Sequence, residues 1–261
     1  MFASGVGAQA SAPLVIGETF TIDSKVMHEV RRINVYRPTI YGDSIRGPLP
    51  VMYMPDGGMA EDFLHVAGLI SVGVSNGTMR PFLLVGIENT ERRRDTTGPT
   101  DNPEDKKIAP RVGGSATFRE FIRTELKPMI NARYRTTNES AIVGESLAGL
   151  FVVETFLREP DLFDTYIAFD PSLWWNKGKL VDDALSMLQG RKLTSKSLYV
   201  AMSSNAGQPE LGDKLKAAIE KTSTGLRWRL ENLPAETHAT IYHPAALQAF
   251  RVLFKPSAKG K

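Results

Sequence analysis

Eight short apolar runs, separated by amphipathic stretches from the third onward, are the feature that most restricts how this chain can fold. They fall at Val15–Ile22, Val30–Tyr36, Pro50–Met54, Phe82–Ile87, Ala141–Val143, Tyr166–Phe169, Leu198–Met202 and Leu226–Leu230. Helical spacing is expected at Ala60–Val72, at Phe118, Phe121, Ile122, Leu126 and Ile130, and then at Leu147–Leu157, Val181–Leu188, Leu211–Ile219 and Ala245–Phe254. Parallel strands need crossover connections, usually helical, whereas the first two runs are close enough for a tight turn near Asp23-Ser24. The pattern predicts an α/β chain with a central, mostly parallel, eight-stranded sheet flanked by helices. One domain is expected over 15–254, with 255–261 a basic flexible tail. Residues 1–14 would be a flexible N-terminus or a signal remnant, since Ala8-Gln9-Ala10 has the small-x-small look of a cleavage site.

Composition narrows the chemistry. The chain has no cysteine, which removes disulfides, thiolate–metal centres and thiol nucleophiles, and only four histidines are available as base or ligand. No run reaches the ~20 apolar residues of a membrane span. The net charge of +3 comes from Lys255, Lys259 and Lys261, so nothing argues for a nucleic-acid partner. The 88–114 stretch is long and rich in Gly, Pro, Asp and Arg, as functional loops often are. Its Arg92-Arg93-Arg94 run could meet an anionic ligand, or be paired locally with Glu91 and Asp95.

Two serines compete for attention. Gly73-Val74-Ser75-Asn76-Gly77 is the strict G-x-S-x-G match, yet it follows a helical stretch and leads toward a strand. A nucleophile elbow has the opposite order, strand–turn–helix, which holds the serine at the carboxyl end of the sheet. Gly144-Glu145-Ser146-Leu147-Ala148-Gly149 breaks the pattern by one methyl but stands between a buried strand and an apolar helix. Ser146 is therefore the expected nucleophile, against the plain alternative of a helix N-cap.

A serine hydroxyl needs a base within hydrogen-bond reach. His28 (expected in an early strand) and His65 precede Ser146 and read as structural. His243 stands before Pro244 at a helix start, while His238 sits mid-loop after the last strand and is the expected base. Glu210 is the leading acid, with Asp170, Asp213 or no acid at all as alternatives. Backbone amides of Leu147, Gly57 and Gly58 are the expected oxyanion hole, and Trp174 and Trp175 a possible pocket wall. His28-Glu29 is not followed by the second histidine of a zincin, and neither metal nor cofactor is expected.

Several segments together resemble the esterase branch of the α/β-hydrolases that includes enterochelin-esterase-like and feruloyl-esterase-like enzymes, over about residues 27–254. They are Val51–Gly58, Val85–Asn89 with Arg93-Arg94-Asp95, Glu125–Ile130, the Ser146 elbow, and Asp170-Pro171-Ser172-Leu173-Trp174-Trp175. The resemblance implies Ser146 as nucleophile and His238 as base. Pro209-Glu210-Leu211-Gly212 is similar to the acid-bearing loop of mycolyltransferases. Two departures stand out: Glu145 where the family commonly has His, and Ala148 where it commonly has Gly. The expected activity is hydrolysis of small-molecule carboxylic esters, of modest acyl or aryl type, with a siderophore or feruloyl ester possible. A silent binding protein of the same fold and an acyltransferase are the alternatives.

Overall fold

Strand β1 (Glu18–Ser24) pairs antiparallel with β2 (Glu29–Tyr36), Glu18 facing Val35 and Ser24 facing Glu29. The turn between them falls later than expected, at residues 25–28, and carries His28 with φ 55°. His28 is thus an exposed turn residue and not a strand residue. The computed structural model describes residues 11–204, 209–222 and 225–256. The small-x-small site at Ala8–Ala10 and the lysines Lys259 and Lys261 lie outside the described residues.

Six more strands complete the sheet: β3 (Leu49–Pro55), β4 (Leu83–Ile87), β5 (Thr136–Glu145), β6 (Thr165–Phe169), β7 (Ser197–Ser203) and β8 (Arg227–Leu233). Their spatial order is β1-β2-β4-β3-β5-β6-β7-β8. β2 runs antiparallel to β4, and every pairing from β4 to β8 is parallel. All residues of β3, β4, β6 and β7 are buried, which is why they read as unbroken apolar runs without alternation.

Helices cover both faces. Helix α1 (Phe63–Ser75) and α8 (Tyr242–Leu253) pack on one, through Val66, Ile70, Ala246 and Phe250. The other face takes α3 (Ser115–Phe121), α4 (Lys127–Arg133), α5 (Ser146–Arg158), α6 (Lys179–Leu188) and α7 (Pro209–Thr222). A π-type turn at Ile122–Leu126 joins α3 to α4. Pro128 follows it, and a residue without an N–H cannot close the regular ladder there.

The 88–114 stretch contains α2 (Arg92–Thr96) and a 3-10 turn at Asp105–Lys107. It is fastened to the connection after β6. Trp175 Nε1 donates to Gly98 O at 2.8 Å, and the Asn176 amide donates to Asp105 Oδ2 at 2.8 Å. After β3 the chain places β4 on one side and β5 on the other, so a crevice opens between the carboxyl ends of β3 and β5. In open α/β sheets such a switch point is where ligands bind.

Candidate active site

Three strands leave the sheet at this edge through a non-glycine residue in the left-handed region: Asp56 after β3 (φ 56°), Ser146 after β5 (φ 58°) and Asp170 after β6 (φ 42°). That conformation costs an L-residue of order 1–3 kcal/mol and persists where the surroundings over-determine it. At Ser146 the surroundings are explicit. A Cβ on Gly144 would lie 2.7 Å from the Ala148 carbonyl carbon, and one on Gly149 would lie 3.0 Å from Phe169 O. Two glycines therefore let strand, turn and helix close up. Gly149, not position 148, is the residue that must be bare against β6, so the extra methyl of Ala148 is accommodated. Ser75, in the strict motif, is the last residue of α1, and Gly77 (φ 71°) follows it just past the helix end.

His238 reaches Ser146 from the loop between β8 and α8. A turn brackets it, with the Thr237 amide donating to Thr240 Oγ1 at 2.9 Å and the Thr240 amide to Thr237 O at 3.1 Å. His238 Nε2 lies 3.1 Å from Ser146 Oγ, and Nδ1 lies 2.8 Å from Asp170 Oδ2. The Asp170 carboxylate is fully buried and also accepts from the Ser203 amide (2.8 Å) and the Ser203 hydroxyl (2.7 Å). Burial pushes the Asp170 carboxyl up, but the bonds from His238 and Ser203 outweigh it and hold the group below its ordinary value. The Asp170 bond raises the His238 imidazole above its ordinary value, against burial and with help from Glu145.

Glu210, the leading acid in the sequence, is not in this chain of contacts. It is exposed in the first turn of α7, and Asp213, a little further along the same helix, is exposed as well. Nδ1 of His238, the nitrogen an orienting acid would take, faces Asp170, while Nε2 faces Ser146 and Glu145. The left-handed turn at Asp170 folds its carboxylate back toward the end of β7, the strand from which Glu210 was expected to be delivered. His65 and His243 face each other instead of Ser146, His65 Nε2 lying 3.0 Å from His243 Nδ1.

The expected oxyanion donors divide in the same way. Leu147 is the second residue of α5, where amides have no intrahelical partner. The Gly57 amide donates to Ile87 O at 3.0 Å, and a Cβ there would lie 2.3 Å from Gly86 Cα. Gly57 is a strand-packing glycine with a spent N–H. The Gly58 amide donates to Glu61 Oε2 at 2.6 Å, so it too is engaged. Of the two tryptophans, Trp175 is buried against Leu147 and Leu150 and belongs to the core, while Trp174 is 36% exposed.

The arginine run is mostly committed. Arg92 holds Asp56 through two bonds, at 2.7 and 2.8 Å, and Arg94 pairs with Glu29 and Asp95. Arg93 makes no ion pair among the described residues. A cavity of about 440 Å³ opens beside His238, lined also by Asp62, His65, Glu145, Tyr242 and His243. Burial raises the Glu145 carboxyl to about 7, against His238 and Arg92, which favour its charge. Sequence reasoning missed Ser203, which carries no local mark beyond ending an apolar strand, and missed the contact of Glu145 with His238. No group of three or more His, Asp or Glu among the described residues is arranged to hold a metal ion, and no helix among them is long and apolar enough to cross a membrane.

Residues 24–249 match the family described as "Putative esterase". The ferri-bacillibactin esterase BesA of Bacillus subtilis is 29% identical over 203 residues, which cover 72% of this chain and 68% of that protein. The siderophore triacetylfusarinine C esterase of Aspergillus fumigatus is 30% identical over 211 residues, 70% of this chain and 66% of that protein. The matched region thus spans about two thirds of the length of these curated relatives. The crystal structure of an IroE-like serine hydrolase from Shewanella oneidensis superimposes with a TM-score of 0.81 at 28% identity, covering 92% of this chain and 80% of that one. The elbow between β5 and α5, the strand order of the sheet and the extent of the match agree: the chain belongs to this esterase family of the α/β-hydrolase superfamily and is a carboxylic ester hydrolase.

Proposed function

We propose that the protein is a serine esterase that works through an acyl-enzyme on Ser146, with His238 as general base and Asp170 as the acid that orients it. The carrying observation is the unbroken contact chain Ser146 Oγ–His238 Nε2–His238 Nδ1–Asp170 Oδ2 at the carboxyl edge of the sheet. Asp170 accepts the Nδ1 proton of neutral His238, which leaves the Nε2 lone pair to take the Ser146 proton as Oγ attacks the ester carbonyl. The resulting oxyanion meets the N-terminus of α5, where the Leu147 amide is the donor. Imidazolium Nε2–H then protonates the leaving alkoxide, and the same nitrogen activates a water that releases the acid and restores Ser146.

For substrate, we infer siderophore-type esters, because the curated relatives act on ferri-bacillibactin and triacetylfusarinine C by name. The test combines a fluorophosphonate probe with an ester panel of p-nitrophenyl acetate, an aryl ester and these two siderophores, on wild type and Ser146→Ala. Labelling at Ser146 and siderophore turnover that vanish together in Ser146→Ala are the expected result. An unlabelled, folded wild type would make the protein a silent binding module. Product diverted to new esters by added alcohols would make it an acyltransferase.

A further inference from the structure

Glu145 is the last residue of β5, immediately before the nucleophile, and its Oε1 lies 3.3 Å from His238 Nε2. That nitrogen is also the one 3.1 Å from Ser146 Oγ. The base therefore meets one carboxylate at Nδ1 and a second at Nε2. We propose that Glu145 is a positioning residue for His238, holding its imidazolium from the Nε2 side and competing with Ser146 for that nitrogen. The proposal rests on the serine-esterase reading given above.

The proton bookkeeping gives the effect a sign. Neutral His238 donates Nδ1–H to Asp170 and presents a lone pair at Nε2, toward which an ionised Glu145 oxygen has nothing to donate. Once Nε2 carries a proton, Glu145 Oε1 stands within reach as an acceptor, so an ionised Glu145 favours the protonated base. A protonated Glu145 can instead donate its O–H to Nε2 and displace the serine hydroxyl. Either way, one proton added to the Glu145–His238 pair takes the base out of the reaction.

The surroundings keep Glu145 titrating near the imidazole range. Arg92 of α2 favours its charge, while Asp62 ahead of α1 and Asp56 after β3 oppose it. Tyr242 and His243 of α8 and His65 of α1 line the same cavity, and no lysine or arginine lines it among the described residues. Burial is the largest influence on the carboxyl and raises it to about 7. The two groups thus titrate as a pair and not as separate sites.

The experiment follows the rate at which an uncharged fluorophosphonate labels Ser146 as pH is varied from about 5 to 9, the range in which imidazoles titrate. The uncharged probe keeps substrate charge out of the comparison. With Glu145→Gln, one raising influence on His238 is gone, so the acid limb of the labelling profile moves to lower pH by about half a unit or more. An acid limb that coincides with the wild-type one overturns the role of Glu145. A wild type that does not label at Ser146 at any pH overturns the serine-esterase reading itself, so the two failures are distinct. The wild type alone supplies a second reading, by NMR titration of the His238 ring and the Glu145 carboxyl. Shared midpoints are expected, and a Glu145 carboxyl that titrates alone near its ordinary 4.5 refutes the proposal.

Discussion

Asp170→Asn separates the acid observed beside His238 from the acid expected in the sequence. Asp170 Oδ1 accepts the Ser203 amide and must remain a carbonyl oxygen in the variant, because an N–H cannot face an N–H. The new NH2 group then takes the place of Oδ2, which contacts the Ser203 hydroxyl and His238 Nδ1. The hydroxyl can turn and accept, but Nδ1 becomes an acceptor too, and the single proton of neutral His238 moves to Nε2. That nitrogen then points an N–H at Ser146 Oγ and can no longer take its proton. In Ser–His–Asp hydrolases the same tautomer error costs on the order of 10⁴ in kcat. At 1.36 kcal/mol per decade this is about 5.5 kcal/mol of transition-state stabilisation. The assay is steady-state hydrolysis of p-nitrophenyl acetate with Ser146 labelling alongside, and Glu210→Gln as the control. Because Glu210 is exposed on α7, its variant should stay within about twofold of wild type, as an uninvolved surface change does. A folded Asp170→Asn within tenfold of wild type, or a Glu210→Gln that falls by decades, would refute the assignment.

The remaining predictions concern what holds the site in place. Gly144→Ala puts a methyl 2.7 Å from the backbone of Ala148, so the elbow must open; about 1–3 kcal/mol of stability should go with slower Ser146 labelling, read by urea unfolding and the probe. Asp95→Ala removes the buried carboxylate shared by Arg31 and Arg94 and leaves both paired with Glu29, so it should cost about 1–3 kcal/mol in urea unfolding. Replacing the pair together, Arg31→Met with Asp95→Leu, should cost less, because neither fully buried charge then remains and Glu29 keeps Arg94. Glu29 is held by Arg94 first, then, against burial, by Thr90 and Arg31, which lower its carboxyl from 4.5 to about 2. Its stabilisation is therefore complete above pH 4.5 and fades as pH falls toward 2, so Glu29→Gln should narrow the gap in Tm from wild type over that window.

The middle of the sheet was legible because four of its strands are buried on both faces. A fully buried strand has no polar alternation to confuse with a loop, and β3, β4, β6 and β7 fall where their apolar runs do. β5 shows the limit of this signal. Only Ala141–Val143 announces it, whereas the strand begins at Thr136, because its first half is polar and partly exposed near the edge of the core. The pairing of Ser146 with His238 was also readable, since strand–turn–helix order is a local property for one and chain order suffices for the other. The carboxylate beside His238 was not, because Asp170 stood second to Glu210. Asp170 and Glu210 each follow a buried strand, and the two sequences offer the same local chemistry. What separates them is a backbone angle at Asp170 and two donors from Ser203 on the neighbouring strand, neither of which is visible along one segment.

The same distinction explains why the glycine signal misled at one place and not at another. A bare position can mean that a ligand approaches the backbone or that another piece of backbone does. At Gly144 the neighbour is the backbone of α5 at Ala148, and at Gly149, itself in α5, it is the end of β6 at Phe169, so both glycines close the turn that holds Ser146. At Gly57 the neighbour is Gly86 on β4, and the amide that would have faced an oxyanion is closed against Ile87. Asp56 just before it is likewise turned inward, held by Arg92 and Asn89. The turn after β3 is therefore built to be rigid, with its polar groups satisfied within the protein. The turn after β5 is built to be rigid with one group outstanding, the Ser146 hydroxyl facing an imidazole. A strained residue is inert where its side chain is fully partnered, whereas the Ser146 hydroxyl meets a base at 3.1 Å and, at 3.5 Å, only the Ser172 hydroxyl besides.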